Sequence, residues 1–349
     1  MDTKKNIFLN NKFWAIILVA QFSLFYILSK IDFAVDFFSH LFEWKKDFHV
    51  LLFSKFGFSV GDVIYTIVSL YLVFAIINLI RKKKSETLKQ LFIFINVVYF
   101  IYQCFWGMLY FQTPIIKKLP TKDITEQDLK NLTIKYLVLC KETREQVSED
   151  KRGIFIINDL KKIETEILSQ QKNLRRNITS KNSVEILSVK PSLYNQAMNY
   201  TGILGYYNPF TAESQFNPNL PSTQLPFTLA HEMSHQLGFA REQEASFIAY
   251  LCAKNSKNQD LKYSTQLYVL KSLLRNLSIK DESFVKNILS NYSDKMKKDR
   301  NSELEFLKNH ESILADVFGF TNDLFLKSNQ QDGSITYSYF VTLVALYEA

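Results

Sequence analysis

Cysteine is nearly missing from this chain: three in 349 residues, at positions 104, 140 and 252. That is too few and too scattered for a disulfide framework or a thiolate zinc site. Cys104 falls inside an apolar run suited to lipid, which leaves only Cys140 and Cys252 as a conceivable pair, and nothing in the sequence calls for that bond. Histidine is scarce too, with five, so any clustering among them carries information. A basic surplus is missing where a nucleic-acid binder would need it. Of the formal charge of +8, a surplus of 7 sits in residues 1–120 (14 Lys and Arg against 7 Asp and Glu), and the rest of the chain interleaves both signs. A nucleic-acid reader concentrates cations on its folded domain, so that class is set aside.

Charge is absent altogether from three early stretches: "FWAIILVAQFSLFYIL" from Phe13, "VIYTIVSLYLVFAIINLI" from Val63 and "LFIFINVVYFIYQCFWGMLYF" from Leu91. A helix needs roughly 20 residues to cross the hydrocarbon core, and a helix of a soluble core normally keeps a polar stripe. The stretches therefore predict transmembrane helices over about 13–29, 63–80 and 91–111, in a membrane domain spanning 1–113 whose first partner is the lipid bilayer. Lys4, Lys5 and Lys12 precede the first span, and Arg81–Lys84 with Lys89 fill the loop between the second and third, which places both on the cytoplasmic side. The loop 29–62 mixes both signs and belongs outside. Three crossings from a cytoplasmic N-terminus then put residues 114–349 on the extracytoplasmic face of a bacterial inner membrane. No small-residue cleavage site follows the first span, which reads as an anchor. The aromatic-rich outer loop suits either an amphipathic helix at the interface or a loop packed on the spans. Its His40 and His49 receive no metal role.

"TPIIKKLP" reads as a short linker. Beyond it the pattern is mostly helical: Thr125 with Asp128 signals a capped helix start, a second helix covers Leu160 to Gln171, and helices run from Glu242 to the C-terminus with breaks near "NSKNQD" and "NQQDGS". "GIFII" and "SVEILSVK" read as short strands, and Gly205 to Asn217 as a strand and loop, or else a rigid connector. The fold class is mainly α (α+β): three transmembrane helices followed by a mostly helical domain with a small sheet.

Within that domain stands "LAHEMSHQLGFAREQEA", Leu229 to Ala245. Residues four apart on a helix share a face, so His231 and His235 can reach one ion through nitrogen–zinc bonds of about 2.0 Å, while Glu232 stands close enough to touch a water at that ion. With histidine so rare, a chance HExxH in this chain is on the order of a few in a thousand. Pro226 and Gly238 bracket the helix. In one zincin pattern a histidine or aspartate follows the glycine by three residues; here Arg241 occupies that position, and a cation cannot ligate. Glu242 and Glu244 remain. On a continuous helix Glu242 would lie about 10 Å beyond His235 along the axis, so the chain must turn at Gly238 and return a second helix beside the first. Ala245, Ala249 and Ala253 recur every four residues, which lets two helix backbones approach closely.

"HEMSH" followed by "EQEASFIAYL" resembles the gluzincin arrangement of zinc peptidases, in which a glutamate directly before alanine opens the second helix and binds zinc. The resemblance implies Glu244 as third ligand beside His231 and His235, with Glu242 as the alternative. Ser246 stands where relatives of the broader class often carry aspartate or asparagine. The run of about 45 residues from "GYYNPF" to "AYL", behind three spans, is similar to a bacterial family of uncharacterised membrane proteins with a zincin signature, domain of unknown function 3810. It implies a zincin-like metallopeptidase domain. Zn²⁺ would leave a fourth position for water, Glu232 would act as general base, and peptide hydrolysis is the natural reaction. Tyr263, His310 and Arg241 are candidates for the oxyanion donor. A membrane-anchored binding or structural protein with a zinc-stabilised fold is the alternative, and Glu232 speaks against it because a structural site needs no base. An intramembrane protease is disfavoured by the polar flanks of the motif.

Overall fold

Three apolar helices, Asn11–Leu28 (α1), Val60–Ile80 (α3) and Lys84–Phe105 (α4), are each long and apolar enough to cross a membrane, and Asp32–Phe53 (α2) connects the first two. The computed structural model describes residues 10–81, 84–176, 178–329, 331 and 336–349, with only the backbone of 336–338. Lys4, Lys5, Lys82 and Lys83, part of the flanking charge in the orientation argument, lie outside the described residues. Outward side chains of the three helices, such as Ile16, Leu70 and Phe74, are apolar and exposed. Polar groups are paired between helices: Asn96 of α4 donates to Trp14 O and accepts from Gln21 of α1, both at 3.0 Å.

The apolar run expected to span to 111 ends its helix at Phe105. A 3₁₀ turn, Gly107–Phe111, follows, with Trp106, Met108, Leu109 and Tyr110 buried. Trp106, Leu109 and Tyr110 are apolar because they fill a core shared with the following domain, while Met108 packs against Phe25, Val35 and Phe38 of α1 and α2. The loop between the first two spans is a helix of 22 residues. It carries Phe33, Phe37, Trp44 and Phe48 outward, and Phe42, Lys45 and Lys46 inward. Lys45 Nζ donates to Pro209 O and Lys46 Nζ to Asn182 O, both at 2.6 Å. The connection α2 therefore lies on the same side of the three apolar helices as the large domain.

That domain is predominantly helical with one small sheet. Its strands are Val189–Pro191 (β1), Gly205–Asn208 (β2) and Glu213–Phe216 (β3), in the order β1-β3-β2, with β1 parallel and β2 antiparallel to β3. Only the end of "SVEILSVK" joins the sheet, and "GIFII" contributes one isolated bridge, Glu149 to Phe155, with Phe155 buried edge-on against Tyr263. The sheet sits on the first turn of α3. A helix start leaves backbone N–H groups without partners and favours negative charge; Glu213 of β3 meets both needs, accepting from Val60 N (3.2 Å) and Gly61 N (2.7 Å). Lys190 of β1 neutralises Glu213 at 2.7 Å and also donates to Phe53 O and Phe58 O. Asp62 accepts from Leu193 N, Ser192 Oγ and the Tyr206 hydroxyl.

The remaining helices are Glu126–Arg144 (α5), Leu160–Lys172 (α6), Asn195–Thr201 (α7), Leu225–Gln236 (α8), Glu242–Lys254 (α9), Gln259–Leu277 (α10), Glu282–Ser290 (α11), Asp294–Asn309 (α12), Ile313–Ser328 (α13) and Thr336–Glu348 (α14). The capping box at Thr125 and Asp128 forms as expected. Helices α5, α9, α10 and α14 enclose one apolar core; a second joins α6, α8 and the sheet to Phe42 of α2 and to Trp106 and Tyr110 after α4. The second core thus crosses the boundary drawn at 113/114. "TPIIKKLP" is no free linker either: Ile115 is buried within a 3₁₀ turn.

Candidate metal centre

Helix α8 carries the HExxH residues and lies under the sheet, tied to it by Ser214 Oγ donating to Glu232 O (3.0 Å) and Gln236 Nε2 to Ala212 O (2.7 Å). Its early N–H at Phe227 donates to Ser264 Oγ of α10. The helix stops where expected: Gly238 has φ +98°, its N–H bonds His235 O, and Phe239 N–H reaches back to Ser234 O. A side chain at 238 would also run into Phe42 of α2, 2.7 Å from the position of a Cβ. Helix α9 then returns against α8, with Ala249 and Ala253 packed in one core with Leu229, Ala230 and Met233.

The return brings Glu242, the first residue of α9, onto the two imidazoles. His231 Nε2 lies 3.1 Å from His235 Nε2 and 3.1 Å from Glu242 Oε2, and His235 Nε2 lies 3.5 Å from Glu242 Oε1. Among the described residues this is the cluster of His, Cys, Asp and Glu able to hold a metal ion. Glu244 is elsewhere, which corrects the assignment implied by resemblance. Residues two apart on a helix point about 200° apart, and Glu244 is held by Ile115 N–H at 2.8 Å and Arg241 at 3.2 Å. Arg241 in turn donates to Tyr110 O at 2.7 Å.

The donor set fits zinc. Bonds of about 2.0–2.1 Å at tetrahedral angles put ligand atoms about 3.3 Å apart; the two imidazole nitrogens stand 3.1 Å apart, and one oxygen of the Glu242 carboxylate lies 3.1 Å from His231 and the other 3.5 Å from His235. His235 Nδ1 lies 2.6 Å from Phe239 O; a carbonyl only accepts, so Nδ1 carries the proton and Nε2 presents its lone pair inward. His231 Nδ1 lies 3.0 Å from Ser246 Oγ. Ser246 supports a histidine rather than the glutamate. A metal ion between the rings would take the Nε2 lone pair of each.

Burial works against the charge of Glu242, yet His235 and His231 hold it far below the usual carboxylate range. Burial opposes charge on His235 as well, but Glu242, Glu232 and the Phe239 carbonyl raise it to about 9. Burial lowers His231 despite Glu242. Glu232 is pushed by burial up to about 8, against the pull of His235. Its Oε2 is buried with no hydrogen-bond partner among the described residues. Gly205 of β2 abuts it: a Cβ there would fall 2.7 Å from Glu232 Cγ.

The walls come from segments the sequence did not mark. Trp106 sets its edge against His235 with ring centroids 5.9 Å apart, and donates to the Tyr110 hydroxyl at 3.3 Å. Glu242 N–H donates to Gln331 Oε1 at 3.1 Å. Of the three oxyanion candidates, Tyr263 is committed to Asp299 in the α10 core (2.7 Å), His310 bonds Phe306 O at the end of α12, and Arg241 braces Glu244 and Tyr110. Cys140 and Cys252 are buried and free.

The sequence profile of a family described as "Protein of unknown function (DUF3810)" matches residues 37–345. The chain belongs to that family. The DUF3810 match begins within α2 and ends within α14, so it takes in α3, α4 and the cluster on α8 and α9 as one unit. No curated protein and no solved structure matches the chain.

Proposed function

We propose that this DUF3810 member is a membrane-anchored zinc metallopeptidase, with His231, His235 and Glu242 as ligands and Glu232 as general base. The reading rests above all on one arrangement: two imidazole nitrogens and a Glu242 carboxylate that reaches both, beside a buried Glu232 oxygen with no hydrogen-bond partner among the described residues. When bound, Zn²⁺ supplies Lewis acidity toward a carbonyl and brings the pKa of water toward neutrality. Glu232 takes a proton from the attacking water through its free Oε2 and passes it to the leaving amine. A dication beside it also favours its charged form, offsetting the effect of burial. The outer edge of β2, beginning at Gly205 against Glu232, is placed for an extended peptide to pair by its main chain. The lysines and arginines around α1 and between α3 and α4 favour an extracytoplasmic domain.

Purified protein is expected to hold about one zinc per chain, and Glu232→Gln to keep the metal while losing hydrolysis. The assay compares peptides released from membranes carrying the wild type or the variant. If Glu232→Gln matches wild type wherever zinc removal has an effect, the metal is structural and the chain is a binding or scaffold protein.

A further inference from the structure

Helix α13 is exposed over most of its length, and its exposed face is apolar. Ile313, Val317, Phe320 and Leu324 form one stripe at helical spacing, between 50 and 81% exposed, with Leu314 and Phe318 beside it. At 100° per residue these side chains cover an arc of roughly 160°. Asp316, Asp323 and Lys327 share a narrow polar stripe next to it, the last two paired at 2.7 Å. The remaining side packs on α7.

The anchoring points of α13 fix its height. Near its start, the His310 ring lies against Tyr200 of α7 at 5.2 Å between centroids. Helix α7 is itself held by Tyr194, whose hydroxyl meets Thr66 Oγ1 at 2.7 Å, and Thr66 lies six residues into α3, about 9 Å along its axis. At the far end, Asn329 Oδ1 accepts from the Tyr102 hydroxyl of α4 at 2.9 Å, about 4.5 Å before that helix ends. The second attachment falls within α4 itself, and Thr66, which holds the start of α7, is followed on α3 by the exposed Ile67 and Leu70.

We propose that α13 is a membrane-seated helix whose apolar face lies at the headgroup and acyl boundary of the bilayer crossed by α1, α3 and α4. The partner is lipid, because the face continues the apolar belt at the depth where that belt meets lipid. The inference rests on the membrane reading of those helices and is independent of the metal. It also gives Gln331, two residues beyond Asn329 and bonded to Glu242 N–H, a support seated in the bilayer.

The test uses the full chain in phosphatidylcholine and phosphatidylglycerol vesicles. Cys104 is replaced by Ser, the other two cysteines being buried. A nitrobenzoxadiazole probe is attached at Phe320→Cys or Ile313→Cys, and at Ile279→Cys, a position 92% exposed beyond α10. Equal thermal unfolding profiles establish that each labelled chain is folded. The probes on α13 are expected to lose most of their emission to doxyl-labelled lipids and little to aqueous iodide, with the reverse at 279. If the α13 probes behave like that at 279, the helix is in water and the proposal falls. Shielding from iodide without doxyl quenching means that protein, another copy of this chain included, covers the face, and overturns it equally.

Discussion

The choice of Glu242 over Glu244 separates the two carboxylates by a measurable contrast. Glu242 has an oxygen 3.1 Å from His231 Nε2, so on the proposed reading Glu242→Gln removes a metal ligand and, among the described residues, the carboxylate that touches both rings. Loss of an outer partner of a metal-bound histidine costs 10- to 100-fold in affinity, so removing the ligand itself should cost at least about 100-fold, near 3 kcal/mol. Glu244→Gln leaves the triangle of donors untouched. It weakens the bonds to Ile115 N–H and Arg241, with an expected loss of about 1–3 kcal/mol of folding stability. The assay is a competition titration of zinc with a chromophoric chelator on detergent-purified chain, paired with thermal unfolding with and without zinc. Glu242→Gln should lose most of the zinc-induced rise in Tm. Glu244→Gln should keep that rise on a lower baseline. Zinc lost from Glu244→Gln but retained by Glu242→Gln would refute the geometry, and equal behaviour of both would remove the carboxylate from the centre altogether.

Gly205→Ala places a methyl 2.7 Å from Glu232 Cγ and 2.8 Å from Gln215 O; it should cost about 1–3 kcal/mol in thermal unfolding and a larger share of hydrolysis than of zinc affinity. Arg144, fully buried, grips Asp299 at 2.6 Å, so Arg144→Met strands a buried carboxylate and should cost about 3–5 kcal/mol, while adding Asp299→Asn should recover part of the loss. Lys45 is buried and, through that burial with Lys46 beside it, its pKa falls from 10.5 to about 7. The folded chain then binds fewer protons than the unfolded chain between those values, so stability should rise with pH from about 7 to 10.5. Lys45→Met should flatten that rise in a series of Tm against pH, and an unchanged slope would show that Lys45 does not titrate there.

Features set by local chemistry were legible in the sequence. Four-residue spacing of His231 and His235, the need for a turn at Gly238, the alanine stripe of α9 and the box at Thr125 all depend on neighbours a few residues away, and all are present. What depended on distant chain was not legible. Glu242 and Glu244 differ in role because Ile115, 129 residues from Glu244, claims one of them. An apolar stretch has the same composition whether lipid or protein covers it, so nothing marked Phe105 as the end of α4 and the following residues as core. The outward face of α13 was hidden likewise: its pattern declares a helix and leaves the other side of the contact unstated.

Trp106, packed against His235, and Tyr110, bonded to Trp106, leave the translation machinery more than a hundred residues ahead of the motif, directly after the last of the three helices apolar enough to cross a membrane. Part of the wall is thus contributed by chain that, on the membrane reading, is inserted first. A nascent or mislocalised copy would have its histidines without the wall packed against His235, so on the proposed reading maturation of the centre is tied to delivery. On the proposed reading, cutting the large domain free behind Tyr110 would strip that wall away, and shedding it from a membrane is expected to end its competence instead of releasing it.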